Sequence, residues 1–340
     1  MENRMHLGLR FRELIARPQG LVGFGVGNAL EASLAEKAGA ESVYAGGYTM
    51  AMYKMMPDMG MMNMVEVLAE VSAIVRAVSV PVIADIDEGY GNALNAERTA
   101  AEFLGREFIS LESNPWCVKR LAGIHMEDQR YPKRCGHIAG KDVVSREEFA
   151  GKVKMICRVR DAFDKNAVII ARTDAYHSTR PGSLEEAIAR AVAAAGAGAD
   201  LAWFEDNKPS REHALKFAEG VHKEISNYPL AFNYSPSLPW FKESNPMTFE
   251  ELIQMGYKYI FITIAAGHAS SVAVYDYAKT VVAYGAEALW ELQRDKTGHP
   301  TELHHKMAGV PMWQKLEQEY IPGSENRQQS GEGFGSEQKQ

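Results

Sequence analysis

Eight short runs of β-branched and apolar residues recur along the chain, each followed by a stretch of helical composition. No other feature constrains the fold as much. The runs begin near Leu21 (LVGFGVG), Ser42 (SVYAGG), Pro81 (PVIADID), Ala122 (AGIHMED), Ala167 (AVIIART), Asp200 (DLAWFED), Pro229 (PLAFNYS) and Lys258 (KYIFITI). Continuous apolar strands separated by helices read as parallel β-structure buried on both faces, and eight such units over about 250 residues fit an α/β fold, a closed (β/α)8 barrel of the TIM type. A doubly wound open sheet is the competing arrangement. Its phosphate fingerprint is missing, because Gly23-x-Gly25-x-Gly27 lacks the GxGxxG spacing, and that run is read as a tight barrel turn.

Composition narrows the function classes. Of 340 residues, 46% are hydrophobic and 24% charged, so most of the chain can bury a core. Lys plus Arg number 37 against 44 Asp plus Glu, a net charge of -7, which argues against nucleic acid or an anionic membrane surface as partner. No apolar run approaches the ~20 residues of a membrane helix, and the charged N-terminus has no apolar signal core, so a cytoplasmic location is expected. Three cysteines (Cys117, Cys135, Cys157) without a CxxC pair argue against a disulfide framework and against structural zinc.

Ser183-x-x-Glu186 and Thr248-x-x-Glu251 read as capping boxes opening helices that end near a glycine. The expected organisation is a barrel over residues 1–290, a helical segment over 291–323 and a mobile polar, Gly-rich tail over 324–340. Eight of the 16 methionines fall between Met50 and Met64. Adaptable packing is the commoner use of such a cluster, and it is preferred here to a copper site. Residues 105–120 lengthen the link between the third and fourth strands and read as a peripheral insertion in which Cys117 is not catalytic.

In barrels of this class the active site lies at the C-terminal ends of the strands. Those ends are polar: Asp85-Ile86-Asp87-Glu88, His125-Met126-Glu127-Asp128, Arg172-Thr173-Asp174, Glu205-Asp206, Asn233-Tyr234-Ser235-Pro236-Ser237 and Thr263. Converging acids repel unless a cation or shared protons neutralise them, and oxygen ligands without a Cys/His cage point to a hard ion, Mg2+ or Mn2+, that keeps several waters. Strand alternation places Asp85 and Asp87 on one side, where both can point at one ion. Arg172, Asn233, Ser235, Ser237 and Thr263 would then form an anion clamp. In the loop after strand four, Lys133-Arg134-Cys135-Gly136-His137 combines a cysteine whose basic neighbours favour thiolate, a glycine that admits a ligand close to the backbone, and a histidine able to exchange a proton.

KRCGH after a strand ending HMEDQ, preceded by DIDEGYGN and followed by ARTDA and NYSPS, resembles the isocitrate lyase and phosphoenolpyruvate mutase superfamily, within it the lyases. The resemblance runs from about Gly20 to Gly267. It implies a barrel whose last helix is exchanged between paired subunits, a homotetramer, Mg2+ dependence, and retro-aldol cleavage of a small tricarboxylate to glyoxylate and a dicarboxylate. Residue by residue, it makes Asp85 the direct metal ligand, with Asp58, Asp87 and Glu127 holding the metal's waters. Tyr44, Gly46, Gly47 and Tyr48 match the glyoxylate-side loop, and Tyr44 is the favoured base for the substrate hydroxyl. Cys135 matches the donor of a proton to the departing carbanion, with Lys133, Gly136 and His137 in the same gating loop. Arg172, Glu205, Asn233, Ser235, Ser237 and Thr263 match the carboxylate-binding set.

The departures from the family pattern divide between two substrates. KRCGH and the short chain resemble 2-methylisocitrate lyases, whereas NYSPS and Phe261-Ile262-Thr263 resemble isocitrate lyases, in which an aromatic ring and a threonine leave little room for a further methyl. Tyr48 matches neither group, Gly46 stands in place of a usual serine, and SLPW stands where SFNW is usual. Specificity lives where the methyl must sit, so isocitrate is the expected substrate and 2-methylisocitrate the alternative. Oxaloacetate hydrolysis is a more distant alternative. The Cys-containing loop argues against phosphonate mutase chemistry, and the full set of catalytic groups argues against a barrel that only binds dicarboxylates.

Overall fold

The computed structural model describes residues 4–109, 117–178 and 182–324. Eight parallel strands close into a barrel: β1 (Leu21–Val26), β2 (Val43–Ala45), β3 (Val82–Asp85), β4 (Gly123–Glu127), β5 (Val168–Thr173), β6 (Leu201–Phe204), β7 (Leu230–Asn233) and β8 (Tyr257–Ile262). Each expected run supplies one strand. The order around the barrel is β7-β8-β1-β2-β3-β4-β5-β6, so strands consecutive in the chain are neighbours throughout. Register sets Asp85 beside His125, Glu127 beside Arg172, and Arg172 beside Trp203, which gathers charged side chains at one mouth.

The other mouth is sealed. Helix Leu7–Ile15 buries Leu7, Phe11, Leu14 and Ile15 against the barrel interior, where Phe11 meets the Tyr259 ring edge-on at 4.9 Å. Arg12 fixes the plug by donating to the carbonyls of Asn166 (2.8 Å) and Ala167 (2.9 Å). Above it the barrel is filled by Ile83, Ile170, Leu201, Trp203, Tyr259 and Phe261. With the interior packed and its base closed, small molecules have access only at the strand C-termini.

Gly23 and Gly25 lie inside β1 and form no turn, contrary to the sequence reading. A Cβ at Gly25 would stand 2.1 Å from the Ile262 carbonyl oxygen, and one at Gly23 would stand 2.3 Å from the Tyr259 hydroxyl. Close approach by β8 requires the glycines. Thr248 and Glu251 form a reciprocal capping box on helix Phe249–Gln254. At helix Leu184–Gly196 only half of the expected box exists. Ser183 accepts the Glu186 N–H, while the Glu186 carboxylate turns to Arg146 and Arg190. Both helices give way to left-handed glycines, Gly198 and Gly256.

The 105–120 region contributes Phe108–Ile109 and Val118–Lys119, paired antiparallel, with Arg4–Met5 alongside. Residues 110–116 lie outside the described residues. Cys117 is buried. The methionines divide: Met50 and Met62 pack in the core, whereas Met55 and Met61 are 91% and 60% exposed.

Two compact units divide the chain. One carries the barrel and reaches His268, and the other begins at Ala269. Helix Ala265–Tyr284 leads into the second, which holds helices Ala286–Asp295, His304–Met307 and Val310–Tyr320. Position 290 falls within helix Ala286–Asp295. Of the tail expected over 324–340, only Ser324 is among the described residues, and it is buried. No helix among the described residues is long and apolar enough to cross a membrane.

Candidate active site

Of the site residues picked from the sequence, all but Asp87 and Glu127 line one cavity at the open mouth, together with Trp203 and Ile264. Local chain geometry builds its anionic end. Gly47 opens helix Gly47–Tyr53 and donates its N–H to Asp85 Oδ2 (3.1 Å). A Cβ there would stand 3.0 Å from Asp85 Oδ2 and 3.4 Å from Asp87 Oδ1, so the glycine lets both carboxylates approach. They converge, but not by strand alternation, because β3 ends at Asp85 and Asp87 adopts a left-handed φ of 51°. The turn lets the Asp87 N–H bond Asp85 Oδ1 (2.9 Å).

Lys133 is buried between Asp58 and Asp87, the latter at 2.8 Å. Burial opposes its charge, but Asp87, Asp58, Glu127 and Asp85 outweigh that and hold it protonated. Burial likewise raises the Asp87 carboxyl, to about 7, with Lys133 opposing and Asp85 and Asp58 adding to the rise. Asp85 stays below the usual range: burial would raise it, and His125, Lys133 and the Asp87 N–H overcome this. Since burial drives His125 down to about 4, that ring is neutral at pH 7, and Lys133 and the N–H carry the effect there. The Tyr44 hydroxyl lies 3.3 Å from Asp85 Oδ2 and 3.1 Å from His125 Nδ1. Burial first, and then the Asp85 charge, push this phenol well above its ordinary value, so Tyr44 rests protonated.

These groups fit a hard cation. The carboxylates gathered at this end offer only oxygen, and both Glu127 carboxylate oxygens are buried without a hydrogen-bond partner, although Arg172 Nη1 lies 3.2 Å from Oε2. Burial holds Glu127 well above the usual carboxylate range. Among the described residues no group of three or more His, Cys, Asp or Glu is arranged to enclose an ion by itself. The fit rests instead on the carboxylate oxygens of Asp85, Asp58, Asp87 and Glu127, the donors that hard cations take.

The clamp stands opposite. Arg172 lies over the Trp203 ring at 4.5 Å and is held by Asp174 through two bonds, Nε to Oδ2 at 2.8 Å and Nη2 to Oδ1 at 2.9 Å. Asn233 donates toward Glu205 (3.3 Å) and accepts from Thr263 Oγ1 (3.2 Å). His137 Nε2 lies 3.2 Å from Glu205 Oε1. Ser235 is buried and accepts the Ser237 N–H (3.3 Å), and Tyr48 stands at the rim, 40% exposed. Phe261 does not line the cavity. It stacks beneath Tyr44 at 4.5 Å and meets the Trp203 ring edge-on at 4.8 Å, so it acts on the pocket only through those two rings.

The expected thiolate at Cys135 is overturned. Burial, then the Asp58 charge, pushes the thiol up to about 11. The basic neighbours seen in the sequence are otherwise engaged, Lys133 by Asp58 and Asp87, while Arg134 is exposed with its backbone held by Gln129. A thiol protonated at neutral pH is an acid in waiting.

Sequence reasoning named His125, Asp128 and Asp174 as polar strand ends without giving them a role, and it missed Trp203, Lys141 and Arg190. His125 and Trp203 point inward from β4 and β6, and the buried pairs Asp174–Lys141 (2.9 Å) and Asp128–Arg190 (3.0 Å) support the site from behind. Asp174 carried a usable signal, two residues after Arg172 at the same strand end.

Residues 11–282 match the family described as phosphoenolpyruvate phosphomutase. The isocitrate lyase of Haloferax volcanii is 38% identical over 96% of this chain and 90% of its own. The 2-methylisocitrate lyase of Bacillus subtilis is 34% identical over 62% of this chain and 64% of its own. A crystal structure of 2,3-dimethylmalate lyase superposes with a TM-score of 0.75 at 26% identity, covering 94% of this chain and 98% of that one. With an acid-lined barrel mouth facing an arginine clamp, and with named lyases matched along its length, the chain belongs to the phosphoenolpyruvate mutase and isocitrate lyase family and is a carbon–carbon lyase.

Proposed function

We propose that this enzyme is an isocitrate lyase, cleaving isocitrate to glyoxylate and succinate. The observation that carries this reading is the Thr263–Asn233 hydrogen bond with Phe261 stacked beneath Tyr44, the polar and aromatic pair in which the sequence resembles isocitrate lyases. Identity over nearly the whole length of the Haloferax volcanii isocitrate lyase supports it. The competing reading, 2-methylisocitrate lyase, draws on the Bacillus subtilis relative and on the KRCGH loop.

Arg172, Asn233, Ser235, Ser237 and Thr263 bind the carboxylates of the succinate half. Asp85 would hold Mg2+ (or Mn2+) directly, and Asp58, Asp87 and Glu127 would hold its waters. When bound, such an ion polarises the hydroxy-acid end of the substrate and offsets the charge that raises the Tyr44 phenol. Tyr44 first passes its phenol proton to the neutral His125 ring, 3.1 Å away, and as phenolate takes the hydroxyl proton; the carbon–carbon bond breaks, and the Cys135 thiol delivers a proton to the succinate carbanion. Glyoxylate is held at Gly46, Gly47 and Tyr48. Gly136 lets the loop backbone reach the clamp, and His137 and Lys133 brace the loop through Glu205 and through Asp58 and Asp87.

A homotetramer with exchanged C-terminal helices is part of this reading. On β1, Val22 is 36% exposed and Phe24 half-buried, so the outer face of this strand lacks the cover that a ring of eight helices gives. In the second unit Val272, Tyr275 and Val282 are exposed, with Val282 at 88%. Light scattering at a monomer mass of 37.7 kDa tests the assembly. A cytoplasmic location is proposed as part of this reading. The functional test is glyoxylate formation from isocitrate, followed as its hydrazone. EDTA abolishes it and Mg2+ restores it, whereas turnover unaffected by exhaustive chelation contradicts the reading.

A further inference from the structure

We infer that Lys141 is a positioning residue that fastens the Cys135 loop to the Arg172 clamp, making loop closure and clamp orientation a single event. Four buried contacts close a ring. The Gly136 backbone lies directly on the clamp, since a Cβ there would stand 2.4 Å from Arg172 Nη2 and 2.6 Å from Glu205 Oε1. Arg172 is gripped by both oxygens of Asp174. Asp174 Oδ1 also accepts from Lys141 Nζ at 2.9 Å, and Lys141 Nζ donates to the Gly136 carbonyl at 2.6 Å, which returns the ring to the loop.

The placement of Lys141 separates it from the other anchors of this loop. Lys133 and His137 reach Asp58, Asp87 and Glu205, groups at the cavity whose contacts a bound ion or substrate would compete for. Lys141 does not line the cavity and is 1% exposed, so it holds the loop from behind whatever the cavity contains. Lifting the loop takes the Gly136 carbonyl away from a buried ammonium and lifts the backbone off Arg172. Hydrogen bonds to charged groups in low-dielectric surroundings are the ones most costly to break. The same ammonium and the Arg172 guanidinium together hold Asp174 ionised against its burial. Losing Lys141 therefore weakens the grip on the loop and leaves Asp174 to Arg172 alone.

The test compares wild type with Lys141→Met in the absence of substrate. Carbamidomethylation of Cys135 by iodoacetamide is followed peptide by peptide, with Cys117 and Cys157 as internal references. A released loop predicts that Cys135 reacts faster by about tenfold or more, the scale of one lost charge-assisted hydrogen bond, with the reference cysteines unchanged. Lys141→Arg, which keeps the charge, recovers part of the protection. A merely structural role for Lys141 predicts a lower Tm with no change in Cys135 relative to the other two, and that result overturns the inference. If Lys141→Met yields no folded enzyme, Lys141→Gln, which keeps one donor but not the charge, carries the same comparison. A kinetic arm rests on the proposed function: kcat for isocitrate falls in Lys141→Met and KM rises as the clamp loosens. The alkylation arm needs no substrate, so a wild type that failed to cleave isocitrate would refute the proposed function and leave this inference to be decided on its own.

Discussion

Cys135→Ser keeps the size of the side chain and removes its acidity. The thiol sits at about 11, pushed there by burial and by Asp58, so it is protonated throughout the neutral range and can give a proton to a carbanion. A serine hydroxyl is a far weaker acid, and loss of a general acid is worth roughly 10²–10⁴ in kcat, or about 2.7–5.4 kcal/mol at 1.36 kcal/mol per tenfold. Neither the Asp85 end nor the clamp is altered, so binding of succinate and glyoxylate should change little. The assay is single-preparation kinetics of glyoxylate release from isocitrate, with Cys117→Ser and Cys157→Ser as controls that keep their activity. The pH profile adds a second check. A raised thiol stays in its acid form as pH climbs, so its contribution is retained through pH 9 and lost only as pH passes about 11. A Cys135→Ser enzyme with near-wild-type kcat would refute the assignment, whereas a wild-type alkaline limb near pH 8.5 would contradict only the raised thiol.

Asp85→Ala should abolish turnover while circular dichroism and Tm stay close to wild type, because the carboxylate serves the cavity and not the barrel core. Normal turnover at saturating Mg2+ would remove Asp85 from the metal role. Gly136→Ala introduces a methyl at 2.4 Å from Arg172 Nη2, so the loop cannot seat and both kcat and anion binding suffer; unchanged kinetics would show that the loop does not rest on the clamp in solution. Gly25→Ala sets a methyl 2.1 Å from the backbone oxygen of Ile262, where nothing can give, and should destabilise the fold by about 1–3 kcal/mol or more in chemical denaturation. A variant as stable as wild type would refute the packing of β8 on β1.

The strands and most of the cavity were legible because both follow from local pattern. Apolar runs announce buried parallel strands, and their polar C-terminal residues announce the mouth. What lay beyond reach was set by partners distant in the chain. The KRCGH loop reads as basic, yet Asp58, some 75 positions from Lys133, cancels the lysine and burial protonates the thiol. Gly23 and Gly25 read as a turn because the need for them comes from Ile262 and Tyr259 on β8. His125 stood among the polar strand ends without a role, and Trp203 gave no polar signal at all; only the register beside Asp85 and Arg172 brings them under the site. Phe261 entered through the resemblance of Phe261-Ile262-Thr263 to isocitrate lyases, and the structure sets its ring beneath Tyr44, behind the cavity that Thr263 lines.

The central claim is the identity of the substrate, and kcat/KM for isocitrate and 2-methylisocitrate on one preparation tests it most directly. The isocitrate-lyase-like pair of Thr263 and Phe261 predicts a preference for isocitrate of about 10–200-fold, the range one methylene is worth in a tight pocket, and Thr263→Ala should narrow it. Equal or reversed preference in the wild type would contradict the account and assign the enzyme to 2-methylisocitrate.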